Sequence, residues 1–205
     1  ILNDLQQFSI AGWIEPYSFT NINDLFGQND AIEFMIRENG GRIMLWTESC
    51  LGFTVNYFFE ENKWYYVVGI GDGLSQKIYI NGEEKGSLSC ETSNYGNSTY
   101  SFKVGKDVRA PTSSGFIGII LSVSVYHRSL PSDEIYDNYI NEEPSNKTGL
   151  VLYLARWSID PYSGYWYDIS GYSNHGTIYG ASVSSEKALG LTLCPGSTEW
   201  KFYRD

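Results

Sequence analysis

The densest group of side chains able to hold a ligand in this sequence is aromatic. It comprises Tyr162, Tyr165, Trp166, Tyr167 and Tyr172, in a loop-like stretch opened by Asp160-Pro161 with Gly164 inside. Flat rings can stack on pyranose faces, and the same rings also fill protein interfaces or cover a sheet edge. The run therefore marks either contact with a partner, sugar or protein, or packing within the chain. Acyl-transfer chemistry has no comparable cluster, because neither His127 nor His175 adjoins a Ser or Cys that reads as a nucleophile. Cys50, Cys90 and Cys194 lack the short paired spacing of a zinc site and allow one internal disulfide with one thiol left over. Which two pair is open at this level. Two acceptor sequons, Asn97-Ser98-Thr99 and Asn146-Lys147-Thr148, point to an extracellular or particle-surface setting, with Asn97 and Asn146 as the candidate glycosylation sites and their occupancy open.

The 205 residues carry 14 Lys and Arg against 24 Asp and Glu, a formal charge of −10. A phosphate backbone demands a basic stripe, and here the scattered cations sit among more numerous carboxylates, so nucleic acid is excluded as a partner class. Charged residues make up 19% and aromatic residues 16%, enough apolar surface to offset chain entropy and exclude disorder. The longest apolar stretch, Phe116 to Tyr126, is broken by Gly118, Ser122 and Ser124 and falls short of the roughly 18 residues of a membrane helix. The chain opens at Ile1 with no charged segment leading into an apolar one, which reads as a mature or trimmed protein.

What must position these groups is a set of strands. Period-two alternation with turn residues every ten or so positions is the pattern of an all-β sandwich. Ala31 to Thr47 reads as a hairpin: Ile32, Phe34 and Ile36 alternate with Glu33, Met35 and Arg37, Asn39-Gly40 turns, and Ile43 and Leu45 return on one face. Lys77 to Ser89 is a second, turning at Asn81-Gly82, with Ile78 and Ile80 on one face and Leu88 on the return strand. Lys63 to Ile70 and Phe116 to Tyr126 are near-continuously apolar, which predicts central strands buried on both sides. Leu130, Ile135 and Tyr139 recur at helical spacing, with Asp133 and Glu134 near the start, and predict one short helix between Leu130 and Ile140. A linker spans 142–149, and Leu150 to Trp157, Gly176 to Val183 and Ala188 to Cys194 read as three further strands.

Several of these segments resemble a known family. Phe8-Ser9-Ile10-Ala11-Gly12-Trp13-Ile14, Asn62-Lys63-Trp64-Tyr65-Tyr66-Val67-Val68 and Ile78-Tyr79-Ile80-Asn81-Gly82 are similar to successive strands of laminin G-like modules, within the concanavalin A-like lectin and glucanase superfamily. Val123 to Leu130 with Glu134-Ile135 resembles the closing strand and short helix, except that Pro131 stands where the family caps with Ser; Ser129 or Ser132 is the expected substitute cap. Gly149 to Leu154 and Asp168 to Ala181 resemble the family's opening segment, here placed last. The expected organisation is a main body over 1–141, a linker over 142–149 and terminal strands over 150–205. That tail is too small to close a sandwich alone. Circular permutation, strand exchange with a neighbouring subunit, and the cut start of a second repeat all remain open.

The resemblance implies a jelly-roll sandwich of two antiparallel sheets, and with it two kinds of site. Calcium held by loop oxygens has its closest match at Asp168 and Asn174, with Asp107 and Asp72 as further loop acids; turn-shaping is the competing role for the first two. The glucanases of the superfamily imply paired carboxylates on one strand face. Glu33 and Glu38 are five apart and so fall on opposite faces, with Met35 where an Asp would be needed. The expectation is a non-catalytic extracellular adhesion or carbohydrate-binding module whose partner is a carbohydrate or a cell-surface protein. A filament subunit self-associating by strand exchange is the second reading, and a glycoside hydrolase a distant third.

Overall fold

Alternating side chains give each strand one face to hide, and two sheets hide those faces against each other. A computed structural model describes residues 1–106, 115–160 and 162–183. The elements run β1 Phe8–Ser18, β2 Ile22–Gln28, β3 Ile32–Arg37, β4 Arg42–Thr47, β5 Leu51–Asn56, β6 Tyr65–Gly71, β7 Ser75–Ile80 and β8 Glu83–Ser89. They continue with β9 Lys103–Val104, β10 Ile117–Tyr126, α1 Ser132–Asn141, β11 Leu150–Asp160, β12 Tyr165–Asp168 and β13 Gly176–Thr177. One sheet has eight strands in the order β13-β12-β11-β10-β1-β6-β7-β8, and the other has five in the order β5-β4-β3-β2-β9.

Both expected hairpins form. β3 and β4 pair from Ile32↔Thr47 to Arg37↔Arg42, and the connecting Glu38, Asn39 and Gly40 all adopt positive φ. β7 and β8 close through Asn81-Gly82 at φ 53° and 82°, the pair of left-handed residues that a tight hairpin turn of matching twist requires. Asn81 also clips the turn to β6, its Oδ1 accepting from Tyr66 N at 2.9 Å.

The strands read as central are central. β6 is buried along its whole length because the five-stranded sheet covers one face and α1 the other. Phe8, Ile10, Phe34, Ile43, Val67 and Val125 fill the space between the sheets. Ala11, Tyr66, Val68, Tyr126, Ile135 and Tyr153 form a second cluster on the outer face of the eight-stranded sheet. β10 is buried only from Leu121 onward; its first residues pair with the end of β1 beyond the helix's cover.

Three expectations are corrected. α1 begins at Ser132 behind Pro131, with no side-chain cap from Ser129 or Ser132, because the N-cap position itself is held by proline, whose ring has no oxygen to accept from the first N–H groups. The stretch after Asp160 is not all loop: Tyr165–Asp168 is a strand, paired with β11 at Asp160↔Tyr165 and Ile159↔Trp166. Of Gly176 to Val183 only Gly176–Thr177 pairs, against Tyr165 and Trp166. The expected strand Ala188 to Cys194 lies outside the described residues. The described part of the terminal segment joins its own chain's sheet, with β11 antiparallel to β10 from Val123↔Leu154 to Tyr126↔Leu150. Among the described residues no helix is long and apolar enough to cross a membrane.

Candidate functional site

The edge of the eight-stranded sheet formed by β11 and β12 collects the aromatic residues. Between the pairs Leu154↔Asp168 and Ile159↔Trp166, four residues of β11, Ala155 to Ser158, stand opposite Tyr167 alone. Such a bulge re-aims side chains. Ser158 holds it closed: its Oγ accepts from Ala155 N at 3.1 Å and donates to Ala155 O at 2.8 Å. The bulge projects Trp157, 57% exposed, and its neighbour Arg156, whose guanidinium lies 5.7 Å from the Trp157 ring centre. Burial pulls the Arg156 guanidinium below its ordinary value, while the nearby Glu142, Tyr153 and Glu143 favour its charge. Tyr153 meets Trp157 edge to face at 6.2 Å.

Alternation along β12 divides the aromatic run in two. Tyr165 and Tyr167 share the outer face, exposed, with ring centres 6.0 Å apart and planes 28° from parallel. Trp166 faces the other way, packed on the inter-sheet core with its Nε1 donating to Ala155 O at 2.7 Å. Tyr162 is 98% exposed in the turn between β11 and β12, and Tyr172 is exposed in the turn after β12. The structure therefore groups Tyr165 and Tyr167 and separates Trp166 from them. The opposite bulge adds Trp157, which the sequence reading passed over because it sat inside an apparently regular strand.

Asp168 ends β12 with a buried carboxylate that is saturated from within. Oδ1 accepts from Tyr153 N at 2.8 Å and Ser170 N at 2.9 Å; Oδ2 accepts from Ser170 Oγ and Asn174 N, both at 2.9 Å. Those four bonds occupy the acceptor positions a carboxylate offers. Asn174 in turn donates from Nδ2 to Val151 O at 2.8 Å. This pair ties the turn to β11 and does not fit a calcium ion, which needs carboxylate and carbonyl oxygens turned toward a common point. His175 sits behind it, accepting from Asp168 N on Nδ1 at 3.0 Å and lying edge-on to Tyr167 at 5.1 Å.

The other singled-out residues lie apart. Asp72 shapes the β6–β7 turn, accepting from Leu74 N at 2.9 Å and Ser75 N at 2.7 Å and pairing with Lys77 at 2.9 Å. Asp107 falls outside the described residues. Glu33 is buried on β3 and accepts from Asp30 N, while Glu38 lies in the following turn and pairs with Arg42 at 3.1 Å, so the two carboxylates do not face a common cleft. His127 caps the end of β10, its Nε2 2.8 Å from Ile1 O. Cys50 and Cys90 form a disulfide, and Cys194 is outside the described residues. Asn97 and Asn146 are both exposed; Asn97 donates from Nδ2 to Asp4 Oδ2 at 2.7 Å, and Asn146 Oδ1 accepts from Thr148 N at 2.9 Å.

Solved structures share this architecture at low identity. A candidate carbohydrate-binding protein from Bacteroides ovatus superposes with a TM-score of 0.73 at 18% identity over 89% of this chain, which spans 56% of that protein. A heptameric SAP-like pentraxin from Limulus polyphemus gives 0.56 at 15% identity, covering 67% of this chain and 71% of its own. The CBM40 domain of a Ruminococcus gnavus IT-sialidase, solved with α2,3-sialyllactose, gives 0.53 at 19% identity, covering 65% and 82%. A comparison with curated proteins finds no match. The model of the concanavalin A-like lectin/glucanases superfamily matches residues 1–136. That span runs from the N-terminus through β10 into α1 and takes in every strand of the five-stranded sheet, and on it the chain belongs to this superfamily.

Proposed function

We propose that the chain is a non-catalytic carbohydrate-binding module of an extracellular or surface protein. The observation that carries this reading is the exposed aromatic face at the β11–β12 edge, where Trp157, Tyr165 and Tyr167 share one side of the sheet beside Arg156. Sugars offer alternating apolar C–H faces and hydroxyl rims. Rigid rings bury the former at small entropic cost, and a guanidinium donates to the latter or to a carboxylate. Two of the solved relatives, the Bacteroides ovatus protein and the CBM40 domain, support a saccharide over a protein ligand by what their descriptions say they bind. The exposed sequons at Asn97 and Asn146 support the setting. Glu33 and Glu38 lie on a strand and in the turn beyond it, an arrangement that favours binding without hydrolysis.

The test is binding of the soluble chain to a panel of immobilised glycans, with Trp157→Ala, Tyr165→Ala and Tyr167→Ala as variants. Each is expected to weaken retention about tenfold, on the scale of 1–2 kcal/mol for a stacked ring. Their far-UV circular dichroism should stay unchanged, because none of the three side chains belongs to either buried core. Full retention by all three variants, or no glycan bound by the wild-type chain, overturns the reading.

A further inference from the structure

Helix α1 seats on the outer face of the eight-stranded sheet through Ile135 and through Tyr139, whose ring lies 5.6 Å from that of Trp13 and 6.5 Å from that of Tyr66. Polar groups interrupt this apolar contact. Tyr126 is 0%, Asn138 2% and Tyr153 4% exposed, and Tyr126 Oη, Tyr153 Oη and Asn138 Nδ2 make no well-formed hydrogen bond within the chain, although the Asn138 amide is close enough to the hydroxyls of Tyr66 and Tyr126 to favour their ionised forms. They are neighbours. The Asn138 amide lies beside the hydroxyls of Tyr66 and Tyr126, and Tyr126 is near enough to Tyr153 to oppose its ionisation.

The orientation of Asn138 is fixed. Its Oδ1 accepts from Ser145 N at 2.7 Å and Ser145 Oγ at 2.8 Å, which leaves the amide nitrogen on the tyrosine side. Burial pushes the hydroxyls of Tyr66, Tyr126 and Tyr153 far above the ordinary tyrosine range, so all three stay neutral and keep their protons to donate. Trp13 Nε1, on a ring 5.4 Å from Tyr66, is a further buried donor without a partner. The group is therefore rich in donors: an amide and an indole N–H can only donate, and each hydroxyl, able to accept from them, brings a further proton of its own. A buried polar group left unpaired is costly, and a molecule that accepts two bonds and donates two would relieve several at once.

We infer that one or more water molecules are bound between α1 and the sheet, accepting from Asn138 Nδ2 and bridging the hydroxyls of Tyr126 and Tyr153. The bound water fastens the helix to the strands it covers. It also holds Tyr153, the ring against which Trp157 rests, and it does so whether or not that edge takes a sugar.

The sign of a stability change tests this. With water in place, Tyr126→Phe and Tyr153→Phe each remove a satisfied hydroxyl and lower Tm by several degrees, and the double variant loses less than the sum because both hydroxyls share one bridge. If the seam is dry, each change deletes an unsatisfied group, and an unchanged or raised Tm overturns the inference. A high-resolution crystal structure of the wild-type chain gives the direct reading. Density for water within hydrogen-bonding distance of the three atoms supports it, and direct bonds from Asn138 Nδ2 to Tyr126 Oη or between the two hydroxyls, with nothing between, overturn it whatever the Tm changes.

Discussion

Residues of the same type end in opposite roles here because strand parity on β12 and the bulge in β11, and not chemistry, assign them. Trp166 and Trp157 are both indoles on the β11–β12 hairpin, yet Trp166 plugs the inter-sheet core and Trp157 stands in solvent. Acidic residues divide in the same way, by what donates to them. Burial works to raise the Asp72 carboxyl, but Lys77, the N–H of Leu74 and both donors of Ser75 outweigh it and hold it down to about 2. A carboxyl lowered in the folded chain contributes stability above its ordinary value near 3.8, and that contribution is lost as pH falls toward 2. Thermal melts between pH 5 and 2 should therefore show Asp72→Asn losing its disadvantage relative to the wild type as the solution is acidified, over the window from about 4 down to about 2. A difference in Tm that stays constant across this range would contradict the assignment.

Elements were legible where the local signal and the burial agreed. Asn39-Gly40 and Asn81-Gly82 announced their hairpins because the backbone twist of a tight turn selects residues tolerant of positive φ. The second of these turns also carries α1, since a Cβ on Gly82 would come 3.0 Å from Tyr136 and 3.2 Å from Tyr139 while sitting at φ 82°. Gly82→Ala should cost about 1–2 kcal/mol, read as a shifted urea midpoint, from backbone strain combined with a displaced helix. A smaller shift than Gly164→Ala, where φ is 72° and nothing lies within 4 Å, would show that the helix does not press on the turn. β12 was illegible for a plain reason: four residues between two turns carry too little periodicity. The bulge in β11 conceals its own register, because Leu150 to Trp157 reads as one regular strand, whereas the strand runs to Asp160 and four of its residues face a single partner.

At the scale of the molecule, the two sheets are joined covalently as well as by packing. Cys50 precedes β5 and Cys90 follows β8, the edge strands of the five- and eight-stranded sheets, and their Cα atoms are 5.9 Å apart. The bridge closes a chain separation of 40 residues. Its loss in Cys50→Ala/Cys90→Ala should cost about 4 kcal/mol through the freed chain entropy of the unfolded state. The midpoint of guanidinium unfolding measures it, and an unchanged midpoint would mean that the edges are held by Phe53, Val55 and their contacts alone.

The sequence by itself determined the all-β class, both hairpins, the central strands, the short helix and its superfamily resemblance. Each of these is written in short-range patterns, in a turn residue's allowed φ or in the period of apolar side chains. It could name the aromatic residues of the β11–β12 edge but could not group them. Only the tertiary structure decided that Trp166 turns inward, that Trp157 turns out, that Asp168 spends its carboxylate on its own turn and that Cys90 is the partner of Cys50. Those outcomes depend on register and on which distant strand lies alongside, and pairing energy is shared among residues far apart in the chain, so no local window contains it.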